Sequence, residues 1–299
     1  MKLNFTFSQK NIGIIYAFSA FSLWGILPVY FKSLQHVDPL ELIAHRIIWS
    51  IALLLVLLYF SHSAKEIKKC FANKKIILSL FVTSILISSN WFTYVWTISN
   101  DMVAESSLGY FINPIINIMF GIIFLKEKSS FLEKIAIGIA SFAIILEIVN
   151  LGKIPYAAFT LAVTFALYGL IRKKINVLSF AGFFIETSLL APIAICYVAY
   201  LIYSGTSTVS LSSDIFLLML AGPATVVPLL FFTSAASRIK LSTIGFIQYL
   251  SPTITFFLAI LVYNEPLSNQ RVVTFIFIWL SLIFVAIDTI KRSKKRKHI

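Results

Sequence analysis

Arg46 stands inside an otherwise apolar run, with Glu41, His45 and Trp49 spaced i, i+4 and i+8 beside it. Ionisable groups within such runs are costly and are functional candidates by default. Two fates are open to Arg46. Its long side chain can reach the interface, since it sits only about six residues into the run, near 9 Å at helical rise. Otherwise it binds an anionic group of a solute or pairs with Glu41. A second cluster, Asn90-Trp91-Phe92-Thr93-Tyr94-Val95-Trp96, offers an amide within an aromatic wall. That chemistry suits recognition of a planar or amphipathic molecule.

A third set of residues occurs twice. Ser106 to Lys128 reads SSLGYFINPIINIMFGIIFLKEK, and STIGFIQYLSPTITFFLAILVYNEP follows from Ser242. Pro114 recurs as Pro252 and Glu127 as Glu265, both 138 residues on. Ser106, Tyr110, Asn113 and Asn117 share one helical face, and Gln248, Ser251 and Thr255 take the places of Tyr110, Asn113 and Asn117. Each proline frees a carbonyl one turn back, that of Tyr110 or of Gln248. In hydrocarbon such a carbonyl needs a partner or a wet cavity. Paired, proline-interrupted segments in two halves point to a central binding site; the alternative is that the polar groups join neighbouring helices. Pro28, behind Trp24, gives a third interrupted helix or a plain kink. The expected solute-binding set is Trp24, His45, Arg46, Trp49, Asn90, Trp91, Tyr94, Tyr110, Asn113, Gln248 and Tyr249.

These residues need a membrane to sit in. The chain has 299 residues, 59% hydrophobic and only 12% charged, against about 25% charged in ordinary soluble chains. Its apolar segments suffice for ten spans: 12–31, 40–60, 76–98, 103–125, 132–149, 155–171, 180–203, 214–233, 241–263 and 272–290. The first run is too long for a signal-peptide core and is expected to stay in the mature protein. Alternate links collect 21 of the basic residues on one side and leave three, Lys32, Lys153 and Arg271, on the other. By the positive-inside rule both termini are cytoplasmic. The net charge of +13 is therefore a topology signal with a secondary affinity for anionic lipid, and no nucleic-acid partner is expected. The fold class is an all-α integral membrane protein of ten helices. Five spans per half is odd, so residues 1–150 and 151–290 form two repeats of opposite orientation around a central cavity, with 291–299 a basic cytoplasmic tail.

The pattern resembles the drug/metabolite transporter superfamily, EamA type, and within it the RarD branch. The resemblance is carried by AFSLWGILPVYFK (20–32), VDPLELIAHRIIWS (37–50), NWFTYVW (90–96), ESSLGYFINPIINIMFG (105–121), STIGFIQYLSPTITFFLAIL (242–261) and VVTFIFIWLSLIFVAID (272–288). It implies a two-repeat, ten-helix carrier in the inner membrane of a bacterium.

The expected function is secondary transport of a small amphipathic metabolite or drug by alternating access. Arg46 suggests a carboxylate and the aromatic residues an apolar side chain, so an amino-acid-like or aromatic solute fits both. Glu41, His45 and Glu186 are candidates for coupling to protons. A membrane enzyme would need a nucleophile or metal motif such as H-E-x-x-H or G-x-S-x-G, which the sequence lacks. A channel would show a charged ring or filter repeat. Cys70 and Cys196 have no metal or disulfide spacing. No nucleotide-binding motif occurs, and no cofactor is expected. Local pairing with Lys126 is a sufficient account of Glu127; Glu265 has no equally near base except Arg271.

Overall fold

Apolar runs of this length must satisfy their own backbone groups, and the chain does so as helices. The computed structural model describes residues 8–61, 63–100, 102–209, 212–263 and 269–297. In order the helices are α1 (Gln9–Lys32), α2 (Pro39–Phe60), α3 (Ala64–Ala72), α4 (Lys74–Ser99), α5 (Val103–Leu125) and α6 (Phe131–Leu151). Then come α7 (Tyr156–Ile175), α8 (Ser179–Ser204), α9 (Ser212–Arg238), α10 (Leu241–Gln248), α11 (Leu250–Leu261) and α12 (Asn269–Lys297). Every expected span lies on a helix. Among the described residues, eight stretches are long and apolar enough to cross a membrane: α1, α2, α4, α5, α8, α9, α10 with α11, and α12. The fifth and sixth expected spans coincide with α6 and α7, of 21 and 20 residues.

Local chemistry sets the helix ends. Asp38 Oδ1 accepts from the amides of Leu40 and Glu41 at 2.9 and 3.1 Å, with Pro39 in the first turn. Ser130 and Glu133 form a capping box that starts α6. Gly152 and Gly205 end α6 and α8 in left-handed conformation. The nine-residue α3 was read from sequence as part of a polar link. It turns Ile67 and Cys70 inward and its lysines outward, a short amphipathic helix that no span-length criterion detects.

The expectation of interrupted helices holds at one proline site only. Pro28 and Pro114 lie inside continuous helices, as do Pro192, Pro223 and Pro228. The segment with Pro252 breaks at Tyr249, where α10 ends in a tight turn and α11 begins. Glu265 and the loop around it lie outside the described residues, as does the side chain of Arg271. The expected basic tail begins as a continuation of α12, whose helix extends to Lys297.

The packing is paired. α1 packs on α9 as α7 packs on α4, and α5 packs on α7 as α10 and α11 pack on α1. α2 meets α8, α5 meets α10, and α6 meets α12. One end of the bundle gathers most of the basic residues. There Lys173 Nζ donates to the carbonyls of Ala236 and Ile239, and Arg238 Nε donates to Gln9 Oε1. At the opposite end Tyr30 OH donates to the Leu217 carbonyl, and Lys153 pairs with Glu105 at 2.7 Å. The main core joins Phe21, Tyr168, Phe183 and Phe232 to Leu241 and Ile244; a second joins α5, α6 and α12 through Ile118, Ala140 and Ile278.

Candidate solute-binding site

Arg46 projects from α2 among aromatic rings of three other helices. Its guanidinium carbon lies 5.0 Å from the Trp91 ring centroid of α4 and 5.2 Å from that of Phe31 on α1. Both distances are within cation–π range. The hydroxyls of Tyr30, Tyr94 and Tyr110 are close enough to act on its charge. Tyr94 and Tyr110 meet edge to face at 6.2 Å. The hydrogen bond that orients Arg46 runs from Nε to Thr225 Oγ1 of α9 at 3.1 Å. Among the described residues no carboxylate lies within ion-pair distance of it. The forked edge of the guanidinium thus remains a cationic donor set in an aromatic surround. Tyr110 keeps 49% of its surface accessible, so the cluster is not sealed.

The expected pairing of Arg46 with Glu41 does not form. Glu41 is buried and accepts from Ser207 Oγ, the Thr208 amide and Thr208 Oγ1, at 2.5, 2.8 and 2.6 Å. It ties the start of α2 to the segment after α8. His45 lies one turn further along α2, partly buried. Trp49 packs with Leu34, Val37 and Leu218, where its indole nitrogen is buried without a partner among the described residues.

In this structure the amide stripe joins neighbouring helices, the second of the two roles open to it. Asn113 Nδ2 donates to the Ala162 carbonyl of α7 at 2.6 Å, and its oxygen accepts from Gln248 Nε2 of α10. Asn117 Nδ2 bridges Asn113 Oδ1 at 3.1 Å and Gln248 Oε1 at 2.7 Å. All three side chains are buried. They form a knot that joins α5, α7 and α10, so Asn113 and Gln248 do not face open space here. Asn90 likewise donates to the Leu161 carbonyl and Thr164 Oγ1 of α7, at 2.8 and 3.0 Å. Tyr249 is fully buried, and Trp24 packs against Phe21, Phe165 and Phe232. Of the eleven expected residues, the structure brings together Arg46, Trp91, Tyr94 and Tyr110. Sequence reasoning missed Tyr30, Phe31 and Thr225; Tyr30 and Phe31 were legible as aromatics two and three residues past a helix proline, Thr225 was not.

Two further acidic groups have partners that the sequence did not show. Glu127 does not pair with Lys126. The chain reverses through Lys126 in left-handed conformation (φ 53°), and Glu127 caps α10 by accepting from the amides of Leu241 and Ser242 at 2.7 and 2.9 Å. Glu186 has partners: Arg172 Nη1 at 3.5 Å, Thr83 Oγ1 at 2.5 Å and Tyr168 OH at 3.3 Å. Arg172, counted in the sequence as a solvated topology charge, is turned inward. A separate cleft of about 410 Å³ opens at the end opposite the basic one, between Trp96, Glu105, Lys153 and Tyr156, away from Arg46.

Comparison with known proteins follows the same outline. The family model described as the EamA-like transporter family matches the chain twice, over residues 11–149 and 154–287. A protein of Vibrio cholerae called an uncharacterized transporter is 39% identical, covering 93% of each chain. Protein RarD of Escherichia coli is 39% identical over 96% of this chain and 98% of its own. A protein of Pseudomonas aeruginosa called chloramphenicol-sensitive protein RarD is 24% identical over 95% and 96%. A crystal structure described only as that of a protein superposes with a TM-score of 0.72 over 92% of this chain and 97% of its own, at 15% identity. That likeness concerns the fold alone.

Proposed function

We propose, from the premise that this chain belongs to the EamA-like transporter family, that it is a secondary carrier whose Arg46 binds the carboxylate of a small amphipathic solute. The family and the transporter-named relatives make it a multi-pass membrane transporter. The finer reading has ten spans, α6 and α7 included, in two oppositely oriented five-helix repeats at 1–150 and 151–290. The double family match and the paired packing of α1 with α9 and of α7 with α4 support it. The basic bias supports cytoplasmic termini, and the bacterial relatives an inner-membrane location.

The observation that carries the proposal is a cation in the span region without a carboxylate among the described residues. An ionised group within a span normally faces a partner or a cavity, and cation–π contacts hold the partly buried Arg46 in place without neutralising it. A solute carboxylate would complete the site by a forked, charge-assisted pair. Trp91, Tyr94 and Tyr110 would face its apolar part. An amino acid with an aromatic side chain satisfies both halves. The described conformation would be the one open away from the basic end, because Tyr110 is accessible and α11 has no buried residue.

The test is counterflow of L-phenylalanine into proteoliposomes. Arg46→Ala should lower it by about tenfold or more, the loss of a charge-assisted pair of about 1.5–3 kcal/mol. Arg46→Lys should recover it only in part. Counterflow indifferent to Arg46→Ala would overturn the assignment. Chloramphenicol, which appears in the name of one relative, serves as a comparison solute without a carboxylate.

A further inference from the structure

Glu186 lies in α8 with 1% of its surface accessible, and Arg172 of α7 with 3%. A fully buried pair is weak evidence for stability, because desolvation offsets most of the attraction. This pair is also poorly completed. The guanidinium stands 3.5 Å from Glu186 Oε1, and Nη2 reaches the Ser179 carbonyl at 3.2 Å. Arg172 Nε and Nη1 are buried with no hydrogen-bond partner among the described residues. An arrangement kept for stability alone would be expected to satisfy them.

Glu186 also faces a small cavity, with Ser50, Trp91 and Thr187 on its other walls. The space available to the centres of water-sized molecules is about 10 Å³, which matches roughly one water. Ser50 Oγ is buried without a partner among the described residues. Ser50 and Glu186 thus meet at one small cavity whose other walls are mostly apolar. Ser50 lies one helical turn beyond Arg46 on α2, and Trp91 is the ring over which Arg46 stands. The carboxylate and the proposed solute site therefore share one wall.

We propose that Glu186 is the proton-binding site of this carrier, coupled to the solute site through the cavity at Ser50 and Trp91. The inference rests on the carrier reading above. A proton from bulk solution binds the Glu186 carboxylate and makes it a neutral acid. It keeps Thr83 and Tyr168 as partners but no longer holds the charge of Arg172. The groups facing it are Arg172 and Tyr168 from α7, Thr83 from α4 and Ser50 from α2; Cys70 of α3 lies within reach of the charge of Arg172. Release of the guanidinium loosens α7 from α8 near the basic end, the end that must open for solute to cross.

Two measurements test this. Difference infrared spectra of the purified protein should show a carboxylic-acid band that appears on acidification and is missing in Glu186→Gln. In proteoliposomes, an imposed pH gradient should concentrate L-phenylalanine through the wild type. Glu186→Gln should still exchange labelled phenylalanine at a measurable rate yet accumulate none, because exchange at equilibrium needs no net proton movement. Glu186→Gln leaves Arg172 unpaired, so Arg172→Gln/Glu186→Gln is the control that removes both charges and is expected to fold. Gradient-driven accumulation in either variant, or loss of exchange in the folded double variant, would overturn the proposal. Should the wild type move no phenylalanine, the solute assignment fails, and the infrared band alone decides whether Glu186 is the proton site.

Discussion

Residues 114–125, the second half of α5, and α11, the second half of the other proline segment, are copies of one sequence pattern with opposite surroundings. In the first, Pro114, Ile115, Asn117, Ile118 and Gly121 are buried against α7 and α10. In the second, no residue is buried. α10, which precedes it, has six of its eight residues buried. The stripe residue Asn117 sits in a three-residue amide knot, while its counterpart Thr255 makes a single 3.2 Å bond to the Gly25 carbonyl of α1. One shared proline-and-polar pattern therefore gives a tight contact at the basic end and a loose one at the other. If two inverted repeats exchange these environments during transport, this difference is the structural content of one state.

Four substitutions would sharpen or break that contrast. The largest effect belongs to Gly245→Leu. Even a Cβ there would come within 2.6 Å of the Pro114 carbonyl oxygen and 2.7 Å of Ile118 Cγ1. Overpacking at this crossing should cost at the upper end of about 1–3 kcal/mol in thermal unfolding of the detergent-solubilised protein. Next comes Gln248→Leu, which strands the amides of Asn113 and Asn117; a loss of about 2 kcal/mol is expected. A melting temperature equal to wild type would mean the knot does not hold the closed end. Glu127→Gln weakens the cap on α10 and should cost about 1 kcal/mol. It should also raise thiol labelling at Ser242→Cys from the basic side. The smallest effect, under about 0.5 kcal/mol, is expected for Thr255→Val. A Thr255→Val loss as large as that of Gln248→Leu would erase the difference between the two copies.

Much of the fold was legible because the period of apolar residues and the length of each run are local properties. Every expected span found a helix, and Asp38-Pro39 started α2 as its chemistry requires. The site was legible in part. Arg46, Trp91, Tyr94 and Tyr110 converge, since a charge and large rings in a span are conspicuous in any sequence. Asn113 and Gln248 were conspicuous for the same reason, yet their polarity is spent on each other. A buried amide needs donors and acceptors, and no sequence period says whether these come from a solute or from the next helix. Arg172 shows the converse. It sits in an Arg-Lys-Lys run that reads as solvated, and only the approach of α8 turns it toward Glu186.

The sequence by itself determined a membrane protein, its helices, its duplication and the family to which it belongs, because these follow from hydropathy, spacing and self-similarity along one chain. The tertiary structure alone decided which polar groups remain open. Among the described residues it left Arg46 without a carboxylate, closed the amide stripe on itself, and set Glu186 against Arg172. Each outcome depends on distances between helices far apart in sequence, where a shift of a few ångströms makes or removes a hydrogen bond.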